Sequence, residues 1–313
     1  MATRKPNAGK GDQPGRYVDP VKIGLFAANF NACADPDTAV EVAKAAEAAG
    51  FESLWTGEHI VLPDPKTPAS PLPPDAPMLD TIVALTWLAA HTTTIRLASG
   101  IILLPLRNPL VLAKELASID VVSGGRLIVG LGTGYLEAEF AALGIPLARR
   151  GERADDYLRA MRAVWTMDQP AYSGEFVSFS GVDAQPRPVQ RPTPPIVIGG
   201  ASPAAYRRAV TAGDGWYGFA LNVDRTARCI DGLREAADRH GRPEALGDLE
   251  VTVSPVGGFD REVVERFAEL GVDRLVVLPR ADASSEDRHA AVDRDTLLRQ
   301  IDGIHAEVIS PTA

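Results

Sequence analysis

The chain has 313 residues, of which 45% are hydrophobic and 23% are charged, so neither a disordered nor a fibrous protein is indicated. Its formal net charge is -9 and the acidic residues are spread along the chain, which leaves no basic face for nucleic acid or an anionic membrane. The longest apolar runs, such as Leu97 to Leu106, are far shorter than the roughly 20 residues that span a bilayer, so no transmembrane segment is expected.

The first twenty residues are polar, rich in Gly and Pro, and lack the apolar segment of a signal peptide. We therefore expect a flexible tail over residues 1–20, a single domain over residues 21–313 and a cytoplasmic location. Cys33 and Cys229 lie far apart without metal-type spacing, which favours buried or incidental thiols.

The first repeating unit begins at Val21 to Ala27, a short apolar run typical of a β-strand. Asp35 and Pro36 supply an N-cap and a first-turn proline, so a helix is predicted to start there. Gly50 stands where a left-handed residue would end this helix. The run Glu52 to Thr56 is then predicted to be the second strand.

The same strand-helix unit recurs along the rest of the chain. Six further strand-like runs follow: Ile95–Leu103, Leu127–Leu131, Pro195–Ile198, Gly215–Phe219, Leu249–Pro255 and Asp273–Leu278. Strands that alternate with helices predict a parallel sheet, and eight units fit a closed (β/α)8 TIM barrel better than an open α/β sheet. The length beyond the roughly 250 residues of such barrels is assigned to two insertions, Pro63 to Pro77 and Asp168 to Pro194, the latter before strand five.

Active sites of these barrels lie at the carboxyl ends of the strands, and the second predicted strand leads into Glu58 and His59. Histidine exchanges protons near neutral pH, and an adjacent carboxylate could orient it. From these two residues alone, a salt bridge at the barrel rim explains the pair equally well.

Glycines follow three further predicted strands, where the backbone could approach a ligand closely. Gly130 to Gly134 resembles half of a dinucleotide fingerprint, but no strand follows until about Pro195, which disfavours a Rossmann fold. Gly199 and Gly200 precede the capped helix start at Ser202, which could bind an anion or be an ordinary strand-to-helix turn.

Two absences narrow the chemistry further. All six lysines lie at or before Lys114 and none ends a predicted strand, which disfavours a Schiff-base aldolase and a pyridoxal-phosphate barrel. No histidine pair or carboxylate cluster has the spacing of a catalytic metal site, so no metal is expected.

Five blocks in consistent order resemble the bacterial-luciferase-like superfamily of flavin and deazaflavin oxidoreductases. The resemblance runs from about residue 21 to about residue 278. The blocks that carry it are Trp55–His59, Leu104–Pro109, Gly124–Tyr135, Pro195–Gly200 and Ala212–Trp216.

The resemblance implies a TIM barrel with a long insertion before strand five, and a cis non-proline peptide bond at Ile101-Ile102 or one bond earlier, against the redox ring. It implies that His59 acts as acid or base and that Glu58 orients it or contacts the cofactor. It further implies a set of cofactor-binding residues: Ser99, Gly100, Ile101, Ile102, Gly132, Thr133, Gly134, Tyr135, Gly199, Gly200 and Ala201.

Two chemistries compete within this superfamily, hydride transfer with coenzyme F420 and monooxygenation with reduced FMN. They differ because a ring carbon at position five cannot form the peroxide that oxygenation needs. The blocks at residues 55–59 and 195–200 are most similar to the deazaflavin group, so we predict an F420-dependent oxidoreductase with a small organic substrate. An FMNH2-dependent monooxygenase and a non-catalytic flavin-binding relative are the alternatives. The resemblance also suggests a homodimer.

The lysine distribution departs from the sugar-phosphate dehydrogenases of the deazaflavin group, which use lysines to bind the phosphate of the substrate. Because no lysine follows Lys114, a sugar phosphate is disfavoured unless arginines replace the lysines. The substrate itself is not indicated by any motif, because loops such as the two insertions build the pocket.

Overall fold

The computed structural model describes residues 20–281 and 291–310. The tail expected at residues 1–20 lies outside this part of the chain, except for its last residue. Within the described residues, no helix is both long and apolar enough to cross a membrane.

Among the described residues, eight parallel strands close into a barrel, and the third strand is split into two segments. In chain order the strand segments are β1 (Lys22–Phe26), β2 (Ser53–Thr56), β3 (Arg96–Ser99), β4 (Ile102–Leu103), β5 (Leu127–Gly132), β6 (Tyr172–Ser173), β7 (Ser178–Phe179), β8 (Ile196–Gly199), β9 (Gly215–Leu221), β10 (Glu250–Pro255) and β11 (Arg274–Val277). The barrel follows the order β3-β2-β1-β11-β10-β9-β8-β5-β4, and pairing of β3 with β5 closes it. β6 and β7 form a separate antiparallel hairpin.

The predicted TIM barrel is confirmed, and each predicted strand corresponds to an observed one. The run expected as the third strand is interrupted between β3 and β4, where the Gly100-Ile101 peptide bond is cis. This is the earlier of the two positions that the family resemblance implied. Ile101 therefore lies in a bulge of the barrel wall.

Helices surround the barrel: α1 (Pro36–Ala48), α2 (Thr81–His91), α3 (Pro109–Val122), α4 (Glu137–Ala142), α5 (Arg150–Thr166), α6 (Pro203–Ala212), α7 (Val223–His240), α8 (Arg261–Glu269) and α9 (Arg294–Ile304). The predicted start of α1 is confirmed, because the Asp35 side chain accepts a hydrogen bond from the backbone N–H of Thr38 at 2.8 Å. Gly50 has a φ of +81° just after the helix, as its C-cap role requires.

The excursion between α5 and β8 contains the β6–β7 hairpin, which is fixed to α5 by one buried carboxylate. Asp156 of α5 accepts hydrogen bonds from the Tyr172 hydroxyl at 2.6 Å and the Phe176 backbone N–H at 2.8 Å. The insertion is thereby held against the outside of the barrel.

The middle of the barrel interior is apolar, because alternate residues of each strand point inward. Seven strands contribute one residue each to a single cluster: Phe26, Trp55, Ala98, Ile128, Val197, Tyr217 and Val276. The remaining strand, β10, supplies Ser254, whose Oγ lies 2.6 Å from the Tyr217 hydroxyl oxygen. The buried hydroxyl of Tyr217 therefore has a partner inside the apolar layer.

Charged side chains fill the opposite, amino-terminal end of the barrel. Arg274 is fully buried and donates to both carboxylate oxygens of Glu52, at 2.8 and 2.9 Å, and also to Glu250. The Lys22 ammonium donates to Glu250 at 2.6 Å. Burial favours the neutral carboxyls, but the nearby Arg274 outweighs it, so the pKa of Glu52 and that of Glu250 are both lowered.

Replacing Arg274 by Met should destabilise the protein by about 3 kcal/mol at pH 7, because the partly buried carboxylates of Glu52 and Glu250 lose their buried cation. In the wild type the pKa values of both carboxyls are lower in the folded protein than in the unfolded chain, where a Glu pKa is about 4.3. The two carboxylates therefore stabilise the fold above that pH, and this contribution is lost as the pH falls through their folded pKa values. The difference between R274M and wild type should therefore shrink at about pH 4.

Urea unfolding at pH 7 and at about pH 4 measures the free-energy cost of R274M and its decrease at acidic pH. The matched control is Arg261→Met, which removes an exposed ion pair with Glu265 on α8 and should leave the unfolding midpoint almost unchanged. A cost of R274M that is equal at the two pH values would contradict this account of the charged layer.

Candidate active site

The site residues expected from the sequence lie along one arc of the barrel mouth. They follow four neighbouring wall segments: residues 58–59 after β2, residues 99–102 around the β3–β4 break, residues 132–135 at the end of β5, and residues 199–201 at the end of β8. Because parallel strands end at the same side of the barrel, residues up to 143 positions apart in sequence share this arc.

The imidazole of His59 lies against a carboxylate that the sequence did not indicate. Its Nδ1 is 3.2 Å from Oε2 of Glu139, and its side chain is 12% exposed. The other oxygen of Glu139 accepts the backbone N–H of Ile60 at 2.6 Å. The ring of Tyr135 stands edge-on to the imidazole, with centroids 6.1 Å apart. Glu139 thus joins the loop after β2, which carries His59, to the start of α4.

Glu58 has different partners, although it precedes His59 in sequence. Its buried carboxylate accepts a hydrogen bond from the backbone N–H of Leu103 at 2.5 Å. It also accepts hydrogen bonds from Nε of Arg107, at 2.9 Å, and from Nη2 of Arg107. Arg107 also donates to Asp80, the N-cap of α2, at 2.6 Å. Burial raises the pKa of the Glu58 carboxyl, and the charge of Arg107 opposes that rise.

From the sequence we expected Glu58 to orient His59 or to contact the cofactor. The carboxylate beside His59 is that of Glu139, whereas Glu58 contacts Leu103 and Arg107. Glu58 instead ties the loop after β2 to β4 and, through Arg107, to α2. Contact between Glu58 and a cofactor stays a prediction.

Three glycines of the mouth make room for the chain itself. A Cβ on Gly132 would lie 2.1 Å from Cδ1 of Ile101, and one on Gly199 would lie 2.5 Å from the same atom. A Cβ on Gly130 would lie 1.8 Å from the carbonyl oxygen of Ser99. At these three positions glycine makes room for the bulge around Ile101, and contact of Gly132 and Gly199 with a cofactor stays a prediction.

The edge of the mouth near β8 suits an anionic group. Gly200 has a φ of +118°, and the exposed residues 200–202 lead into α6, whose first turn is capped by the Ser202 hydroxyl. On the β5 side, Arg150 Nε donates to the carbonyl oxygen of Gly134 at 3.0 Å. A helix amino terminus and an arginine therefore border the same arc, and both favour negative charge.

The opposite part of the mouth is aromatic. Phe219 is 41% exposed although the other residues of β9 are buried. Its ring lies 5.2 Å from that of Phe26, which in turn lies 5.7 Å from Phe30. Since β9 and β1 are not adjacent strands, the Phe219–Phe26 contact crosses the barrel interior. These rings form an apolar wall that would keep water from a bound ligand.

Sequence reasoning missed both Glu139 and Phe219, for different reasons. Phe219 shares the inward parity of Tyr217, so the period of two along β9 could have revealed it. Glu139 is separated from His59 by 80 residues and lies in a short acidic helix, so no local signal connects the two.

Replacing Gly130 by Ala should be far more costly than replacing Gly132 by Ala on the same strand. At Gly130 the new methyl group would meet the backbone carbonyl oxygen of Ser99. Ser99 cannot move away easily, because its hydroxyl makes two 2.8 Å hydrogen bonds with the backbone of Gly130. At Gly132 it meets only the end of the flexible Ile101 side chain. We expect G132A to cost about 1 kcal/mol and G130A more than about 3 kcal/mol.

Thermal and urea unfolding of the two variants tests this order. The double variant of Gly132→Ala with Ile101→Ala should recover the part of the loss that comes from the clash, as a cycle of the two single variants would show. Equal costs for G130A and G132A would refute the assigned packing of the bulge.

Comparison with known proteins identifies the family. A family model described as luciferase-like monooxygenase matches residues 19–302. An uncharacterized protein of Mycobacterium tuberculosis is 34% identical over 268 residues, which cover 82% of this chain and 92% of that protein. The oxygenase component of a flavin-dependent trigonelline monooxygenase from Acinetobacter baylyi is 30% identical over 258 residues, covering 82% of this chain and 61% of that protein.

Among solved structures, an F420-dependent secondary alcohol dehydrogenase in complex with an F420-acetone adduct superposes with a TM-score of 0.74. The two chains are 17% identical, and the match covers 94% of this chain and 100% of that one, so it supports the fold. By its sequence, the chain belongs to the luciferase-like monooxygenase family of oxidoreductases.

Proposed function

We propose that this chain is an F420-dependent oxidoreductase that transfers a hydride between the deazaflavin coenzyme and a small organic substrate. The observation that carries the proposal is the His59 imidazole, which lies against a buried carboxylate at the rim of the barrel mouth. Hydride transfer to or from a carbon that bears oxygen needs one group that takes up or returns a proton. His59 is placed to be that group.

The mouth offers surfaces that fit a flavin-like cofactor. The apolar Ile101 side chain on the β3–β4 bulge suits a flat aromatic ring, and the turn at residues 199–201 leads into a helix amino terminus that suits a phosphate. Residues 132–135 end β5, which lies between β4 and β8, and Arg150 donates to the carbonyl oxygen of Gly134. The deazaflavin ring, when bound, supplies or accepts the hydride.

Residues of the chain itself transfer the proton, exclude water and position the loop that carries His59. In the oxidative direction, the substrate carbon loses a hydride and its hydroxyl loses a proton, which Nε2 of His59 accepts; reduction reverses both transfers. Phe219, Phe26 and Phe30 exclude water from the reacting atoms. Glu58 and Arg107 hold the loop that carries His59.

Two comparisons bear on the choice of coenzyme. The structural neighbour named as an F420-dependent secondary alcohol dehydrogenase supports the proposal at the level of fold. The relative from Acinetobacter baylyi is named as a flavin-dependent monooxygenase, which favours monooxygenation with reduced flavin as the second candidate function. The homodimer suggested by the family resemblance stays a prediction.

Titration of the purified protein with F420 and FMN, each oxidised and reduced, separates the two candidates. We expect F420 to bind at least about tenfold more tightly than FMN, which corresponds to about 1.4 kcal/mol. Fluorescence of the two cofactors provides the measurement. Tight binding of reduced FMN with no binding of F420 would replace the proposed function by the second candidate.

Replacing His59 by Ala should lower the turnover number by about 10²-fold or more, because general acid-base catalysis is lost. The coenzyme dissociation constant should change only a few-fold, since the ring and phosphate surfaces are intact. The matched control is His240→Ala, an exposed histidine at the end of α7, which should leave turnover unchanged. Wild-type turnover in H59A would rule out the proton-handling role.

A further inference from the structure

Glu139 is an acidic side chain with no exposed surface, which makes it costly to bury without partners. It lies in the first turn of α4, and the neighbouring Phe140 packs with Leu103 and Leu106 in a separate apolar cluster. This packing holds the short helix against the end of the barrel wall. The carboxylate of Glu139 is therefore presented from a fixed support.

Both oxygens of this carboxylate face the same two-residue segment. Oε1 accepts the backbone N–H of Ile60 at 2.6 Å, and Oε2 lies 3.2 Å from Nδ1 of His59. One contact fixes the backbone beside the histidine and the other fixes its ring. The loop after β2 is thus held at two points by one side chain that is 80 residues away in sequence.

The direction of the ring contact follows from the chemistry of the groups. A carboxylate can only accept, so the hydrogen between the two atoms belongs to Nδ1 of His59. In a neutral imidazole the other nitrogen, Nε2, then carries the free lone pair. The side chain of His59 retains 12% exposure, whereas that of Glu139 retains none, so His59 is the member of the pair that a ligand can reach.

We propose that Glu139 is the positioning residue for His59: it holds the imidazole in the Nδ1–H tautomer and directs Nε2 toward the mouth as the proton-accepting atom. Glu139 itself touches neither substrate nor cofactor. Its importance for turnover rests on the proposed function, whereas the tautomer of His59 does not.

The tautomer can be measured on the full chain without any cofactor, by nitrogen-15 NMR of protein labelled at histidine. The ring signals of His59 are assigned by their loss in His59→Asn. The wild type should show a protonated Nδ1 and an unprotonated Nε2 at a pH where the ring is neutral. A wild-type ring protonated at Nε2 would overturn the proposal, whatever the variants do.

Two substitutions of Glu139 sharpen the test. Glu139→Gln keeps the size and an oxygen for Ile60, but its amide would donate to Nδ1, so the tautomer of His59 should reverse. Glu139→Asp keeps the carboxylate and should retain the Nδ1–H form. Glu137→Gln, at an exposed position of the same helix, is the control and should change nothing. An unchanged His59 tautomer in E139Q would overturn the proposal.

Kinetics give a second readout. E139Q should lower kcat by about 10²-fold while the KM for substrate stays within about threefold, as expected when a base is held in the wrong tautomer. In an H59A background the same change should lower kcat no further, because Glu139 acts only through His59. A further loss in the double variant would indicate a structural role instead and would overturn the proposal.

If the chain uses FMN rather than F420, the proposed function fails but the NMR result is unaffected. If F420 binds and turns over but the tautomer is Nε2–H, the proposed function stands and the role of Glu139 fails. The two hypotheses are therefore separable.

Discussion

The Ile101 side chain and the Ser99 carbonyl oxygen occupy space that three glycines on β5 and β8 leave open: Ile101 lies against Gly132 and Gly199, and Ser99 lies against Gly130. Protein interiors are packed as densely as organic crystals, so a bulge of the wall can be accommodated only where neighbouring side chains are missing. Gly130, Gly132 and Gly199 supply that missing volume. The split of the third strand and the arc of candidate site residues both depend on this fit.

The two ends of the barrel handle charge in opposite ways. At the amino-terminal end, the buried Arg274 is paired with Glu52 and Glu250, so the cluster stabilises the fold at neutral pH. At the carboxyl-terminal end the interior is apolar and aromatic, and His59 stands at its rim. The middle layer of apolar side chains separates the two ends.

Two buried glutamates support the loop after β2, and each does so through a different set of bonds. Glu58 is committed to Leu103 and Arg107, which joins this loop to β4 and α2. Glu139 is committed to Ile60 and His59, which joins it to α4. Leu103 also packs with Phe140, the neighbour of Glu139, so both anchors rest on one apolar cluster. His59 is therefore restrained by packing as well as by hydrogen bonds.

The amino-acid sequence by itself determined the parts of this protein that depend on local pattern. The strands followed from short apolar runs, the start of α1 from Asp35 and Pro36, and the candidate site from polar and glycine residues at strand ends. The break at Gly100-Ile101 followed from resemblance to a family rather than from any local rule. For the strands and for α1, the relevant residues are neighbours in sequence.

Only the tertiary structure decided which carboxylate contacts His59 and which atoms occupy the space beside Gly130, Gly132 and Gly199. His59 and Glu139 are 80 residues apart, and Arg274 and Glu52 are 222 apart. Closing the barrel brings such pairs together, and side-chain direction at each strand end then decides between near neighbours such as Glu58 and His59. Sequence spacing does not reveal contacts that form only when the barrel closes. Many acidic residues of the chain could pair with His59, and the barrel geometry selects one of them.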